Sequence, residues 1–358
     1  MKIAYFVSPH GFGHAARACA VMAALHEIDP TFHFDVFTRV PRWFFADSLR
    51  GAFTYHSLLS DIGLVQETAL REDIAATVAR LNRFLPFRAA LVRECAAQVT
   101  RLKCELVICD IAPLGIAVAR AAGVPSVLVE NFTWDWIYQG YRRDEPRLSD
   151  AIAYLRGAFR EADYHIQTEP ICRYDAADLT TAPVSRAPRL SRQATREKLG
   201  IPRRAKAVLI TMGGIPGEYD FLHRLGGQRG VHFVIPTNGA PVRRNGNLVL
   251  LPHRSEFYHP DLVNACDAVI GKLGYSTVAE VYHAGIPLGY ISRARFRESG
   301  VMARFVQRHM SGLPIPEVQF YNGDWLRHLP DLLALPRVSQ RKPNGAMPAA
   351  KFLAHLLA

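Results

Sequence analysis

Cysteine, lysine and long apolar runs are all scarce in this 358-residue chain. The six cysteines (Cys19, Cys95, Cys104, Cys109, Cys172 and Cys266) form no Cys-x-x-Cys pair, and most sit inside apolar runs. A zinc site and a disulfide framework are therefore not expected, and reduced, mostly buried thiols are. No stretch approaches the ~18 consecutive apolar residues of a membrane span. The opening MKIAYFVS runs straight into what reads as a strand rather than a signal peptide, so a cytoplasmic location is expected. Lysine occurs 7 times against 36 arginines and 32 acids, for a net charge of +11. That balance suggests anionic partners such as nucleotides or phospholipid surfaces. No helix-turn-helix, RNP or zinc-finger pattern accompanies the charge, so nucleic acid is not an expected partner. Hydrophobic residues at 49% and charged residues at 21% exclude disorder and point to a packed body.

The length exceeds one ordinary core and predicts two domains of ~150–200 residues. The order of elements agrees. Lys2 to Ser8 reads as a strand, Pro9 to Gly13 as a glycine turn, His14 to Glu27 as a helix and Phe32 to Thr38 as a second strand. Further strands are read at Glu105 to Cys109 and Pro125 to Glu130, with a helix at Leu114 to Ala122 between them. From Leu179 to Pro202 the pattern dissolves into Thr, Pro, Ser and Arg, which places a boundary near residue 190. Alternation then restarts, with strands at Ala207 to Thr211, Val231 to Ile235, Leu248 to Leu251, Ala268 to Ile270 and Leu288 to Ile291. The expected fold class is α/β, with two Rossmann-like, doubly wound parallel-sheet domains facing a cleft. They would span residues 1–185 and 203–340, joined by a linker at 186–202. The tail 341–358 would close as a helix, with Phe352, Leu353, Leu356 and Leu357 at helical spacing against the body.

Three motifs carry chemistry. Gly11-Phe-Gly13-His14-Ala-Ala16 follows the first strand and opens a helix, matching the dinucleotide pattern G-x-G-x-x-A. With Arg39 at the end of the second strand to meet a 2′-phosphate, it would suit an NADP-linked oxidoreductase, which is the alternative reading. His14, however, is a residue that titrates near neutral pH and could act as a base, or could merely cap the helix. Asp110 stands at the carboxyl end of a buried strand, where parallel sheets place ligands; capping the next helix is its plainer role. In the second half, Thr211-Met-Gly213-Gly214-Ile-Pro-Gly217 follows a strand and offers bare amides to a phosphate. The most specific run is Asp267-AVIGKLGYSTVA-Glu280, in which a glycine and hydroxyl turn around Lys272, Gly274, Ser276 and Thr277 opens a helix toward an anion. Glu280, one to two turns along, could reach a ribose diol.

Together GKLGYSTVAE, TMGG, HGFGHAAR and the run Asn131-FTWDWI-Tyr138 resemble the GT-B glycosyltransferases. The likeness is to the glycosyltransferase-like half of plant L-arabinokinase and, more distantly, to the bacterial UDP-GlcNAc transferase that forms lipid II. It implies sugar transfer, hexosyl or N-acetylhexosaminyl, from a nucleotide sugar, with uridine diphosphate as the expected carrier. By that resemblance Glu280 holds the ribose, Ser276 and Thr277 meet the diphosphate, and Gly213 and Gly214 close over the donor. Glu298 in Phe296-Arg297-Glu298 would face the donor sugar, His14 would be the base of an inverting transfer, and Asp110 would orient it. The galactokinase-like half has no counterpart in these residues, so kinase activity is not implied. Ser299 and Gly300 replace an expected acid and proline, which leaves the donor sugar open.

No DXD-like carboxylate pair sits in a suitable loop, so neither a metal nor a cofactor beyond the nucleotide-sugar co-substrate is expected. A binding protein that keeps the cleft without turnover is a further alternative. The acceptor is unknown, with a lipid-linked one among the candidates. The segment Ala79 to Arg101 interleaves Arg80, Arg83, Arg88, Arg93 and Arg101 with Phe84, Leu85 and Phe87, which suggests a basic, aromatic surface able to touch an anionic membrane. The plainer expectation is a helix whose arginines face water and whose aromatics face the core.

Overall fold

The structure, a computed structural model, describes residues 1–213, 219–237 and 241–357. In chain order the first half lays down β1 (Lys2–Val7), β2 (His33–Thr38), β3 (Phe53–Ser57), the small antiparallel pair β4 (Val65–Gln66) and β5 (Glu72–Asp73), then β6 (Leu106–Asp110), β7 (Ser126–Glu130), β8 (Tyr164–Thr168) and β9 (Leu179–Thr181). Seven of them form one sheet in the order β3-β2-β1-β6-β7-β8-β9, every pairing parallel. Strands β6 and β7 are buried at every residue, as a parallel sheet covered by helices on both faces requires. The second half builds β10 (Lys206–Thr211), β11 (Val231–Thr237), β12 (Arg243–Asn245), β13 (Leu248–Pro252), β14 (Ala268–Lys272), β15 (Leu288–Ile291) and β16 (Gly312–Pro314). They form a second seven-stranded sheet, β12-β13-β11-β10-β14-β15-β16, parallel except where β12 meets β13.

Each sheet reverses its strand order once, and the reversals fix where ligands can bind. In the first sheet it falls between β1 and β6, where Val7 lies beside Asp110. In the second it falls between β10 and β14, where Thr211 lies beside Gly271 so closely that a side chain at Gly271 would collide with the Thr211 carbonyl. Both crevices open toward the other domain.

Two sequence readings need correction. Leu179–Thr181, taken as the start of a structureless stretch, is a strand that pairs with β8 at the edge of the first sheet. Three residues among prolines and serines carry too little periodicity to announce an edge strand. The basic, aromatic segment is also not one surface. It folds as two helices, Ile74–Phe84 and Ala89–Leu102, with Phe84, Leu85 and Phe87 packed inward on the core and Phe87 against the Tyr154 ring at 5.4 Å. The arginines are exposed, while the aromatic rings are partly buried against the core.

The chain finishes by crossing back. The helix Ala346–His355 buries Ala346, Ala349, Ala350 and Leu353 in the core of the first domain, while Phe352 is only partly covered, against Tyr164. The outgoing and returning crossings are bonded to each other: Asn344 Nδ2 donates to the Ser185 carbonyl (2.7 Å) and the Gly345 amide to that of Pro183 (3.2 Å). Among the described residues no helix is long and apolar enough to cross a membrane.

Because Leu353 is fully buried at the far end of the sequence, Leu353→Ala is expected to destabilise the first domain by about 2–5 kcal/mol. Urea unfolding followed by tryptophan fluorescence measures this, and an unchanged midpoint would show that the closing helix is only loosely docked.

Candidate active site

At the first crevice the chain leaves β1, turns through Gly11 and enters the helix Gly13–Ile28. Gly11 has φ +70°, a left-handed conformation that a side chain would resist. The turn delivers His14 to the end of β6, where its Nδ1 lies 3.1 Å from Asp110 Oδ1. His14 does not cap its helix, nor does Asp110 cap the next, which begins after Ala112 without a side-chain cap. Both plainer roles considered for these two residues are thereby removed. Ile111, directly after Asp110, is held at φ +50° in full burial, a strained backbone at the crevice floor.

Asp110 has no exposed surface, and a buried carboxylate needs a partner. Arg17, one turn beyond His14 on the same helix, grips it with two hydrogen bonds, Nε to Oδ2 at 2.8 Å and Nη2 to Oδ1 at 2.7 Å. Burial alone would raise the Asp110 carboxyl, but the charge and hydrogen bonds of Arg17, helped by His14, hold it below the ordinary value. Arg17 Nη1 continues to Asn131 Oδ1 (2.8 Å), and Asn131 Nδ2 donates to Glu298 Oε1 (2.8 Å) on the second domain. The Arg17 guanidinium also stacks 4.6 Å from the Tyr275 ring, again across the domain boundary. One buried chain of polar groups therefore joins His14, Asp110 and Glu298. Burial raises the Glu298 carboxyl in spite of Arg293, 3.9 Å away, and Asn131.

A cavity of about 420 Å³ lies between the domains. Its aromatic wall comes from Phe12, Trp43 and Phe44 of the first domain, with the His253 ring 5.7 Å from Phe12. Ser276 and Thr277 line it from the first turn of the helix Tyr275–Ala284, whose N-cap, Gly274, makes no side-chain cap, so its leading amides are free for an anion. Gly213 lines it too, at φ +68°, and a side chain there would start 2.6 Å from Lys272 Cε. Lys272 therefore lies over the Gly213 backbone. Burial, with the nearby charge of Arg293, brings its ammonium down to about 7, against the opposing pull of Glu298. Gly13 faces Ser276 across the cleft, 3.8 Å from where its side chain would begin to Ser276 Oγ. Gly11 lines a neighbouring cavity instead, and Gly214 lies outside the described residues.

Glu280 is held by protein partners. It is 4% exposed, with Oε1 bonded to Arg186 Nη2 (2.9 Å) and Nε (3.1 Å) and Oε2 to His259 Nδ1 (2.7 Å). Burial would raise its carboxyl, and Arg186 and His259 together hold it low. Arg186 and His259 line the cavity while Glu280 stands behind them; Arg186 Nη1 also reaches Ser48 Oγ of the first domain at 3.0 Å. A helix position read by spacing alone gave no sign of either partner. Arg17, Asn131, Arg186, His259 and Arg293 were all missed as site residues. Arg17 and Asn131 fall inside the quoted runs HGFGHAAR and NFTWDWIY, which was their only signal.

Two facing Rossmann-like sheets with a cavity at their crevices make up the GT-B architecture. The chain belongs to glycosyl transferase family 1, whose profile matches residues 1–330. It is 26% identical over 358 residues to L-arabinokinase of Arabidopsis thaliana, covering 99% of this chain but only 34% of that protein, about a third of its length. Solved structures show the fold. The kitacinnamycin glycotransferase matches with TM-score 0.65 at 13% identity, over 99% of this chain and 98% of the other. A UDP-glucosyltransferase from Polygonum tinctorium matches with TM-score 0.60 at 14% identity, over 99% and 93%. Acinetobacter baumannii MurG matches with TM-score 0.55 at 15% identity, over 99% of each chain. The family supports sugar transfer from a nucleotide sugar, and the oxidoreductase reading is set aside.

Removing Arg17 should leave Asp110 buried without its counter-charge. Arg17→Met is expected to cost about 3–5 kcal/mol, and Arg17→Met with Asp110→Asn to recover much of that loss. The remaining loss in Arg17→Met should grow as pH rises above the ordinary carboxyl range, where an unpaired Asp110 must ionise. Denaturant titrations of Arg17→Met, Asp110→Asn and the double variant across pH measure it, and simple additivity would break the Arg17–Asp110 pairing.

Proposed function

We propose that the protein transfers a sugar from a nucleoside diphosphate sugar, with uridine the favoured base, to an acceptor hydroxyl, with inversion and without a metal ion. The observation that carries this reading is the buried His14–Asp110 pair at the edge of a cleft whose opposite wall presents Ser276, Thr277 and a helix N-terminus. With Nδ1–H donated to Asp110, the free electron pair of the imidazole lies on Nε2, which is the nitrogen that can take the acceptor proton. Asp110 orients the ring and, being kept ionised by Arg17, stabilises the imidazolium that forms.

As the acceptor oxygen bonds to the anomeric carbon, the bond from that carbon to the diphosphate breaks and its electron pair leaves on the phosphate oxygen. The negative charge would be met by the amides before Ser276 and Thr277, by their hydroxyls and by Lys272. Attack opposite the leaving group, without an enzyme nucleophile, inverts the anomeric carbon. In this reading these donors carry the whole of that charge. The aromatic wall suits a nucleobase, and Glu280, through Arg186 and His259, would fix the ribose end; the Polygonum relative, a UDP-glucosyltransferase, favours uridine. Glu298 would face the sugar.

A thermal-shift panel of nucleotides and nucleotide sugars tests the reading directly, since a ligand at about 100 times its dissociation constant adds about 2.7 kcal/mol. Absence of any shift with every nucleoside diphosphate would refute it. His14→Ala should lower the transfer rate by about 10²–10⁴ while leaving UDP affinity within about twofold. Persistence of wild-type turnover in that variant would make the histidine structural.

Lys272 gives a pH signature. Its ammonium has a folded-state value of about 7, and a bound diphosphate raises it, so affinity should be flat below that value and fall as pH climbs above it. At about pH 8 binding should therefore take up a proton, seen by calorimetry as a heat that depends on the buffer's ionisation enthalpy. Lys272→Met should abolish that dependence. A buffer-independent heat in the wild type would remove Lys272 from the diphosphate site.

A further inference from the structure

The neighbouring cavity, about 840 Å³, belongs to the first domain and opens beside the catalytic loop, lined there by His10 and Gly11. Arg39, Arg80, Arg83 and Arg88 all line it. Among the described residues none of the four forms an ion pair or a side-chain hydrogen bond, whereas Arg17, Arg186, Arg192 and Arg196 each hold a carboxylate. Asp61 is the sole acid on the wall among the described residues. Its carboxyl is 2% exposed and takes hydrogen bonds from Ser8 Oγ (2.7 Å) and the Ile62 amide (2.8 Å), and it forms no ion pair with the four arginines. Burial pushes it up to about 6, against the hydrogen bonds of Ser8 and Ile62.

Four guanidiniums lining one concavity repel one another to an extent set by screening, whose length is about 8 Å at physiological salt, and an anion bound among them would relieve that repulsion. Guanidinium geometry matches phosphate oxygens two at a time, which distinguishes this wall from a general basic surface. The remaining wall is apolar, with Phe84 and Leu91 from the two helices beneath the arginines. The volume lies in the range of sites that hold a whole small molecule, about 300–1,000 Å³. At its inner end the cavity meets the chemistry. The His10 ring packs edge-on against Trp134 at 5.0 Å, and the same indole lies 6.3 Å from the His14 ring. His10 accepts a hydrogen bond from the Leu64 amide at Nδ1 (3.2 Å), which leaves an Nε2–H donor at the boundary between the cavity and the base.

We propose that this cavity is the acceptor subsite and that the acceptor carries a phosphate or diphosphate group, gripped by Arg39, Arg80, Arg83 and Arg88 while its hydroxyl reaches His14. The proposal rests on the sugar-transfer reading for the meaning of the hydroxyl, but the anion site stands on the arginines alone. The phosphate could belong to a soluble metabolite or to a lipid headgroup, and the recognition chemistry is the same.

The test uses the full chain, inorganic diphosphate as probe, and the triple variant Arg80→Gln/Arg83→Gln/Arg88→Gln. Calorimetry with UDP present occupies the donor cavity, so diphosphate then reports the second site. The wild type should bind it, and the variant should bind it at least about tenfold more weakly with UDP affinity unchanged. Equal diphosphate affinity in wild type and variant, or none in the wild type, overturns the proposal. Loss of UDP binding in the wild type would instead overturn the sugar-transfer reading, and the difference in diphosphate affinity between the two proteins would still decide the anion site. Sedimentation with vesicles of phosphatidylglycerol in phosphatidylcholine, against phosphatidylcholine alone, separates the sources. Capture by the anionic vesicles that inorganic diphosphate reverses assigns a lipid phosphate, and diphosphate binding without capture assigns a soluble one.

Discussion

Everything at the cleft follows from one buried charge. Asp110 sits at the end of a strand with no access to water, where an ionised carboxylate is costly unless it is fully met. Arg17 meets it with two parallel hydrogen bonds, and its remaining donors reach Asn131 and Thr168, so the cation is itself tied to two further strand ends. Asn131 then passes the connection to Glu298 on the other domain. The same carboxylate that sets the tautomer of His14 thus also fixes where the second domain comes to rest. A change at any member of this chain alters both ring orientation and domain contact, and the two effects share a cause.

The alternation of strands and helices was legible because it is a local property. Apolar runs such as Leu106–Asp110 and Lys206–Thr211 declare themselves within a few residues, and a glycine turn behind each strand declares the crevice. The pairing of side chains was less legible because it is not local. Arg17 lies 93 residues from Asp110 and 114 from Asn131, and an arginine on an apolar helix carries no mark of having been buried. Glu280 shows the same limit from the other side. Its spacing after the Gly-Ser-Thr turn was visible, yet its environment depends on Arg186 from a crossing segment 94 residues away. The segment around Phe84 and Arg88 illustrates a third case, in which charged and aromatic residues alternate in sequence but Phe87 packs against the core while the guanidiniums line a cavity.

Two cavities of different character thus flank one histidine-bearing loop. The one between the domains is walled by aromatic rings and by a helix N-terminus, which suits a flat base joined to a compact anion. The other is walled by guanidiniums that project from an apolar lining. The proposed transfer gives the first a use, because transfer from an activated sugar requires a place to leave the nucleotide. The second owes its form to the insertion of two helices between β5 and β6, so it can change with those helices while the sheet beneath them stays the same.

The crossings between the domains lie side by side, Ser185 bonded to Asn344 and Pro183 to Gly345. Two bodies joined at a single thread can swivel about any axis; joined at two adjacent, mutually bonded threads, they keep a bend and give up most of the twist. The stitched seam is therefore a constraint as well as a tether. Any widening of the cleft would have to turn about it as a door does on its pin, with Gly13 and Ser276 on the two facing edges.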